Sequence, residues 1–316
     1  MLKRLLLPLL LIIFVIQSKA QSRYNIIYEP GLGMNFGAEN IASLHYLWSN
    51  FDDHVIPNKI FKNESYLGKF GNISYRLTKL FLTDYPLTFV LPSIQHERFG
   101  HGSKVLEFGG HIDEVNITLP PPFQMDFPYM SFTSPDSISK QQHISIISSG
   151  SEANEVLSNI VRKNILLDDE LNYHNAFLYL YTNNDLSGYS LFAPDISGSD
   201  IISYIDGVNS YYGTSNLTTE RLQLYGALSI FLDPINYYSF NSIFNGYLWK
   251  GKNNSKIHLI PITSSINYLP KLKFSLTPFG PEIMLQNYFK HKEKLYSISL
   301  GSSDGTFENY WRLNAQ

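Results

Sequence analysis

The chain has 316 residues, of which 44% are hydrophobic and 16% charged, so it can bury a sizeable core and is not a disordered protein. It has no cysteine, which excludes disulfides and leaves His, Asp and Glu as the side chains for any metal site. The net charge is −3, and residues 21–249 carry 12 basic and 23 acidic residues, an excess of acid that would repel phosphates and excludes nucleic acid as a partner.

The N-terminus is typical of a secretory signal peptide. Basic residues in Met1–Arg4 precede an apolar run from Leu5 to Ile16, and a small residue, Ala20, closes the segment. The apolar run is shorter than the roughly 20 residues of a membrane-spanning helix, which argues against an anchor. We therefore predict that residues 1–20 are a signal peptide. An exported protein without cysteine fits the envelope of a Gram-negative bacterium, so we expect a periplasmic or outer-membrane associated protein, or a secreted one.

Helical spacing of apolar residues marks most of the chain up to residue 250. It predicts helices over four segments, namely Gly37–Phe51, Ser151–Leu167, Asn172–Tyr181 and Thr218–Phe231, and the beginning of a further helix over Tyr75–Phe81 that is interrupted near Pro86. The run from Pro120 to Pro135 is punctuated by proline and predicts an extended loop. An alternative embeds Leu80–Ile94 and Leu224–Phe244 in a membrane, but both stretches contain proline, charged or polar residues.

After Gly251 the pattern changes to short segments with approximate period-two alternation, separated by turn residues. Residues 250–294 carry eight Lys and two Glu, so this part is basic where the preceding part is acidic. The pattern predicts an antiparallel β meander. The expected fold class is α+β, with a mostly helical metal-binding body over residues 21–250 and a β meander module over residues 251–316.

The stretch that indicates chemistry is Gln95-His96-Glu97-Arg98-Phe99-Gly100-His101. Zinc hydrolases place two imidazole ligands and a glutamate base on one helix, commonly with the histidines four residues apart. Here they are five apart, which a regular α-helix would separate by about 140°. We therefore predict a widened turn or π-bulge around Phe99-Gly100, because one inserted residue realigns the rings and glycine tolerates distortion.

The motif H-E-x-x-G-H resembles the zinc-binding hexapeptide of the dipeptidyl peptidase III family, and His96, Glu97, Gly100 and His101 match it position for position. The resemblance is local, since the rest of the chain is far shorter than that family. It implies zinc bound by His96 and His101, water activated by Glu97, and a further glutamate ligand from a later helix.

The segment Ser149-Gly150-Ser151-Glu152-Ala153-Asn154-Glu155 opens a helical pattern 51 residues after His101, a separation similar to the family's. Glu152 is the preferred third ligand and Glu155 the alternative, while the other glutamate or Asn154 would orient a histidine. Both acids also fit an ordinary helix start, where the helix dipole favours negative charge.

A peptidase needs a donor for the oxyanion that develops in the transition state. Tyr173 and His174 are the first candidates, and His143 and His111 follow. A single Tyr or His, however, more often packs in a core or lies on the surface.

These features predict a zinc-dependent metallopeptidase of the cell envelope that hydrolyses a peptide or protein substrate, with Glu97 activating a zinc-bound water. The alternative is a non-enzymatic envelope protein with a structural metal site, whose β module binds a partner or the outer membrane. An open coordination position would favour the enzyme, and a fourth protein ligand would favour the structural metal. The sequence does not determine the oligomeric state.

Overall fold

The computed structural model describes residues 25–62, 65–192, 198–304 and 310–315. The predicted signal peptide, residues 1–20, lies outside these ranges. The helical part comprises α1 (Met34–Val55), α2 (Tyr66–Lys79), π1 (Leu80–Asp84), α3 (Tyr85–Ile94), π2 (Gln95–His101), α4 (Gly102–Glu107), α5 (Lys140–Asp168), α6 (Tyr173–Asn183), α7 (Asp185–Phe192), α8 (Asp200–Tyr212), α9 (Thr219–Phe231), α10 (Pro234–Phe240) and π3 (Asn241–Trp249).

Two short sheets lie within or beside the helical part, and one larger sheet follows it. The strands β1 (His111–Asn116) and β2 (Tyr129–Thr133) pair with each other, and β3 (Glu170–Asn172) pairs with β4 (Asn254–Lys256). The larger sheet is antiparallel in chain order and contains β5 (Ile260–Pro261), β6 (Ile266–Thr277), β7 (Gly280–His291), β8 (Lys294–Ser303) and β9 (Trp311–Ala315). The predicted α+β class, with helices followed by an antiparallel meander, is confirmed.

The long helix α5 is the centre of the helical part. A capping box starts it, because Ser139 Oγ accepts a hydrogen bond from the backbone N–H of Gln142 while the Gln142 side chain accepts one from the N–H of Ser139. The helix ends at Asp169, which adopts the left-handed conformation. From the sequence, this helix was predicted to start at Ser151, eleven residues after its actual start at Lys140. The prediction rested on apolar spacing and did not consider the capping residues Ser139 and Gln142.

The larger sheet and the helices share their buried cores. Leu269 packs in a cluster with α1, α5 and α6, and Phe274 and Leu276 pack in a second cluster with Ile144 and Tyr204. The buried Lys271 Nζ lies 3.6 Å from the carboxylate of Asp233, at the start of α10. The expected boundary at residue 250 does coincide with the change from helix to strand, but the strands that follow it are packed on the helices rather than set apart from them.

The stretch from Pro120 to Pro135 is only partly a loop, as Tyr129–Thr133 forms strand β2. The alternation Tyr-Met-Ser-Phe-Thr fits a strand with one face toward the protein, and the prolines around it obscured this pattern in the sequence. No helix among the described residues has both the length and the apolar character needed to cross a membrane.

Candidate metal centre

The motif histidines lie in the π-helical turn π2, which joins α3 to α4 without a break. In a π-helix the hydrogen bonds join residues five apart, so His96 and His101 come onto one face. Their ring centroids are 4.9 Å apart. The predicted widening of the helix at this motif is therefore confirmed.

Asp200, the first residue of α8, completes a group of three ligand-type side chains. Its Oδ2 atom lies 3.2 Å from His96 Nε2 and 3.2 Å from His101 Nε2. A tetrahedral zinc ion with ligands at about 2.0–2.1 Å separates its ligand atoms by about 3.3 Å. The three side chains, all with limited exposure, thus form a group that could hold a metal ion.

The other ring nitrogen of each histidine is engaged by an acceptor. His96 Nδ1 lies 3.1 Å from Asp185 Oδ2, and His101 Nδ1 lies 2.7 Å from the carbonyl oxygen of Ile146. Such contacts fix the ring orientation, and in a neutral ring with the proton on Nδ1 they leave Nε2 as the ligand atom. This arrangement is typical of the supporting shell around metal-bound histidines.

These contacts make the centre favourable for a cation. If both Nδ1 atoms carry protons and the rings are neutral, the lone pairs of both Nε2 atoms point at the Asp200 carboxylate. Three electron-rich atoms, two ring nitrogens and one carboxylate oxygen, then face one another. Burial alone would lower the pKa of His96, but Asp185 and Asp200 raise it well above its ordinary value; the pKa of His101 is raised in the same way, mainly by Asp200. Protons or a divalent cation could neutralise this cluster, because imidazole and carboxylate groups bind either.

Gly100 and Gly150 allow this centre to form against helix α5. A β-carbon on Gly100 would lie 2.6 Å from Gly150 Cα, and one on Gly150 would lie 2.5 Å from His101 Nε2 and still closer to the ring of His96. Gly100 does not have a positive φ. Its role is close approach between two helices, rather than the conformational freedom that the sequence analysis assigned to it.

A cavity of about 750 Å³ opens beside the three candidate ligands. Its polar lining includes Glu97, Asn154, Asp185 and the phenols of Tyr181 and Tyr189. The remaining wall is largely apolar and aromatic and includes Phe89, Phe127, Tyr129, Met130, Phe132 and Leu180. A cavity with an apolar wall and a few polar groups is the usual form of a small-molecule or peptide site.

Comparison with known proteins gives no match, whether with family models, with curated proteins or with solved structures.

Glu97 is largely buried and lines the cavity next to the ligand His96. Burial raises the pKa of the Glu97 carboxyl, and the nearby His96 and His101 offset only part of this increase. The predicted role of Glu97 as a base stays a prediction, and its carboxylate lies beside the candidate ligands and lines the cavity.

The predicted third ligands, Glu152 and Glu155, are not brought to the histidines. Glu152 is exposed to solvent, while a Glu155 carboxylate oxygen lies 3.4 Å from Lys273 Nζ and 3.5 Å from Arg162 Nη2. Gly150 is the residue of α5 that faces the histidines, and Glu152, two residues later on the helix, is rotated from it by about 200°. Among the described residues, Asp200 supplies the carboxylate instead.

The predicted oxyanion donors, Tyr173 and His174, lie in a different buried cluster. Lys79 Nζ is 2.6 Å from Tyr173 Oη, and His174 Nε2 is 3.0 Å from Asp52 Oδ2. Neither residue lines the cavity, and both are buried. The prediction failed because the first turn of α6 directs both side chains toward α1 and π1, where charged partners occupy them. The tyrosines that line the cavity are Tyr129, Tyr181 and Tyr189.

Sequence reasoning missed Asp200 and Asp185, which lie 99 and 84 residues after His101. Each begins a helix, so each resembles the acidic residue that commonly stabilises a helix N-terminus. Only a weak local signal was present, namely an aspartate after the small residues Ser197-Gly198-Ser199. Asn154, by contrast, was considered for a role in orienting a histidine and does line the cavity.

Proposed function

We propose that the protein is a zinc-dependent hydrolase that cleaves peptide bonds, with His96, His101 and Asp200 as metal ligands and Glu97 as the general base. The observation that carries the proposal is the convergence of both Nε2 atoms on one oxygen of Asp200, at 3.2 Å each, while both Nδ1 atoms are held by other acceptors. This is the arrangement expected when a metal, rather than a hydrogen bond, joins the three groups.

The cavity favours a catalytic role over a purely structural metal. Catalytic zinc sites have three protein ligands and an accessible fourth position, while structural sites are closed by a fourth side chain. Among the described residues the group contains three ligands, and it borders a cavity of about 750 Å³. When bound, zinc would supply Lewis acidity, lowering the pKa of water and polarising a substrate carbonyl.

The protein residues around this position have separable roles. Glu97 would accept a proton from the attacking water and donate it to the leaving amine. Tyr181 and Tyr189 offer phenolic donors to the developing oxyanion, and the apolar wall would bind a hydrophobic part of the substrate while it excludes water. Asp185 and the carbonyl of Ile146 hold the imidazoles in place.

The test compares zinc content and hydrolysis of a broad peptide library in wild type, Glu97→Gln, His101→Ala and Asp200→Asn. Glu152→Gln serves as the matched control, because it removes a carboxylate that the sequence predicted as ligand but the structure exposes to solvent. We expect Glu97→Gln to keep zinc and lose hydrolysis by about 10²–10⁴-fold, since its amide cannot accept the proton. His101→Ala and Asp200→Asn should lose zinc.

Two results would contradict the proposal in different ways. If Asp200→Asn retained zinc while Glu152→Gln lost it, the ligand assignment would be wrong. If wild type bound zinc and cleaved no peptide in the library, the ligand set would stand and the peptidase activity would fail, which would favour a structural metal.

A further inference from the structure

A surface far richer in lysine than the rest of the helical part lies where three chain segments meet. It consists of residues 58–62, the first half of α2 with its cap Ser65, and residues 248–252, which we call the Trp249 surface. Over residues 57–72 and 248–253 the sequence contains five lysines, Lys59, Lys62, Lys69, Lys250 and Lys252, and a single acid, Glu64, which lies outside the described residues. The chain as a whole has a net charge of −3, so this surface has the opposite sign.

Buried polar side chains hold the three segments together. Asn72, 1% exposed, accepts hydrogen bonds from the backbone N–H groups of Ile60 and Phe61 and donates one to the Phe61 carbonyl. Arg76, 2% exposed, donates to the carbonyls of Asn58 and Leu248 at 2.7–3.0 Å. The surface is therefore fixed by the fold, because removing either side chain would leave several buried backbone groups without partners.

Large apolar side chains of the Trp249 surface are exposed to solvent. Tyr66 is 92% exposed, Leu67 84%, Phe70 70% and Trp249 70%, and Ile60 and Phe61 are each half exposed. A group of exposed Trp, Tyr, Phe and Leu this close together is unusual for a surface that faces only water.

The lysines alternate with these apolar residues. All five are exposed, and Lys69 Nζ lies 5.9 Å above the ring of Tyr66. Lysine is depleted from the cores of protein–protein interfaces, where its charge would have to be desolvated. At a bilayer surface, by contrast, aromatic and leucine side chains enter the boundary between headgroups and acyl chains, while the flexible lysine stems keep their charges among anionic headgroups.

We propose that the Trp249 surface binds the interface of a bilayer that contains anionic lipid. The proposal is independent of the metal centre. The bound protein lies on the membrane with Trp249, Phe70 and Leu67 inserted at headgroup depth, and the lysines supply the electrostatic part of the binding.

Tryptophan fluorescence tests this contact directly, because the chain has three tryptophans, Trp48, Trp249 and Trp311. One protein keeps only Trp249 (Trp48→Phe with Trp311→Phe), and its matched control keeps only Trp311 (Trp48→Phe with Trp249→Phe). Trp311 is 76% exposed on the edge strand β9, so the two reporters start from similar exposure. Each full-length protein is mixed with vesicles of phosphatidylcholine containing about a third phosphatidylglycerol, with brominated acyl chains as quenchers.

We expect a blue shift and quenching of Trp249 and neither effect for Trp311. Quenching requires that Trp249 itself contacts the brominated acyl chains. Binding through another segment of the chain would therefore not quench Trp249. No quenching of Trp249, or equal quenching of Trp311, would overturn the proposal. Quenching of Trp249 that is equally strong on pure phosphatidylcholine would overturn the assignment of anionic lipid.

A charge variant tests the lysines. Lys62, Lys69 and Lys250 are replaced together by Gln, and Lys140, Lys256 and Lys294, which are exposed elsewhere, are replaced in the control. We expect vesicle affinity to fall at least about tenfold in the first variant, with a smaller change in the control. Equal losses in both would show that net charge, rather than this surface, determines binding, and would overturn the proposal. Circular dichroism checks that both variants fold.

Discussion

Gly100 of the histidine motif packs directly on Gly150 of helix α5, so closely that a β-carbon on Gly100 would lie 2.6 Å from Gly150 Cα. This contact between π2 and α5 places the two imidazoles against the long helix, where the Ile146 carbonyl holds His101 and the side chain of Asn154 lines the same cavity. The candidate metal centre therefore depends on the absence of side chains at two positions as much as on the candidate ligands themselves.

Gly150→Ala should disrupt the centre, because its methyl group would collide with the Nε2 atoms of both His96 and His101. The helix backbone cannot give way easily, so the imidazoles must move from the metal position. We expect zinc affinity to fall and hydrolysis to drop by about 100-fold, the effect of a displacement of about 1 Å at a reacting centre. Gly188→Ala is the control, because Gly188 also lines the cavity but its β-carbon would meet no atom within 4 Å. Normal zinc binding by Gly150→Ala would contradict the assigned ligand geometry.

Asp185→Asn should weaken metal binding without removing a ligand. The carboxylate accepts from His96 Nδ1, and an amide in its place is a weaker acceptor and holds the ring less firmly. We expect a loss of about 10–100-fold in zinc affinity, measured by competition with a chromophoric chelator. Asp206→Asn removes an exposed carboxylate from α8 and should leave the affinity unchanged. If the two variants behaved alike, Asp185 would not be part of the supporting shell.

Asn154→Ala should impair substrate binding while the metal remains. Asn154 is 1% exposed and lines the cavity, and its Oδ1 atom has no hydrogen-bond partner within the described parts of the chain. A buried amide oxygen without a partner costs free energy unless a ligand satisfies it. We expect kcat/KM to fall by about 10-fold or more with zinc content unchanged, whereas His143→Ala, at an exposed position on the same helix, should have wild-type kinetics. Wild-type kinetics for Asn154→Ala would exclude a contact with substrate.

Glu155 should make the protein sensitive to acid. Burial alone would raise the pKa of Glu155, but Lys273, Lys271 and Arg162 lower it to about 2 from an ordinary 4.5. Because the pKa of Glu155 is lower in the folded state than in the unfolded state, the ionised carboxylate stabilises the fold. This contribution is fully present above about pH 4.5 and is lost as the pH falls toward 2. The shift corresponds to about 3 kcal/mol in the free energy of unfolding.

Urea unfolding of Glu155→Gln and wild type at pH 7 and at pH 2.5 tests this expectation. The variant should be less stable at pH 7 by about 3 kcal/mol, and the difference should shrink at pH 2.5, where wild type has lost most of the contribution. Glu152→Gln, on the exposed side of the same helix, should match wild type at both pH values. A pH-independent difference for Glu155→Gln would mean that packing, rather than charge, accounts for its effect.

The sequence by itself predicted the features that depend on the pattern of neighbouring residues along the chain. Helical spacing identified α1, α6 and α9, and period-two alternation identified the meander after residue 251, because each pattern is set by which face of the element is buried. The spacing of His96 and His101 required a distorted helix, and π2 is that distortion. The position of Glu97 next to His96 also follows directly from the order of consecutive residues.

The tertiary structure decided which carboxylates meet those histidines. Glu152 and Asp200 are equally plausible as acids at the start of a helix, and no local pattern distinguishes an acid that ligates from one that stabilises a helix dipole. The packing of α5 against π2 turns Gly150 to the imidazoles and Glu152 to solvent, and the packing of α8 on α5 brings Asp200 across about a hundred residues of chain. Tyr173 and His174 lie away from the cavity for the same reason. The packing of α6 places both side chains against α1 and π1. A ligand set of this kind is a property of helix rotation and packing, which single-sequence periodicity does not fix.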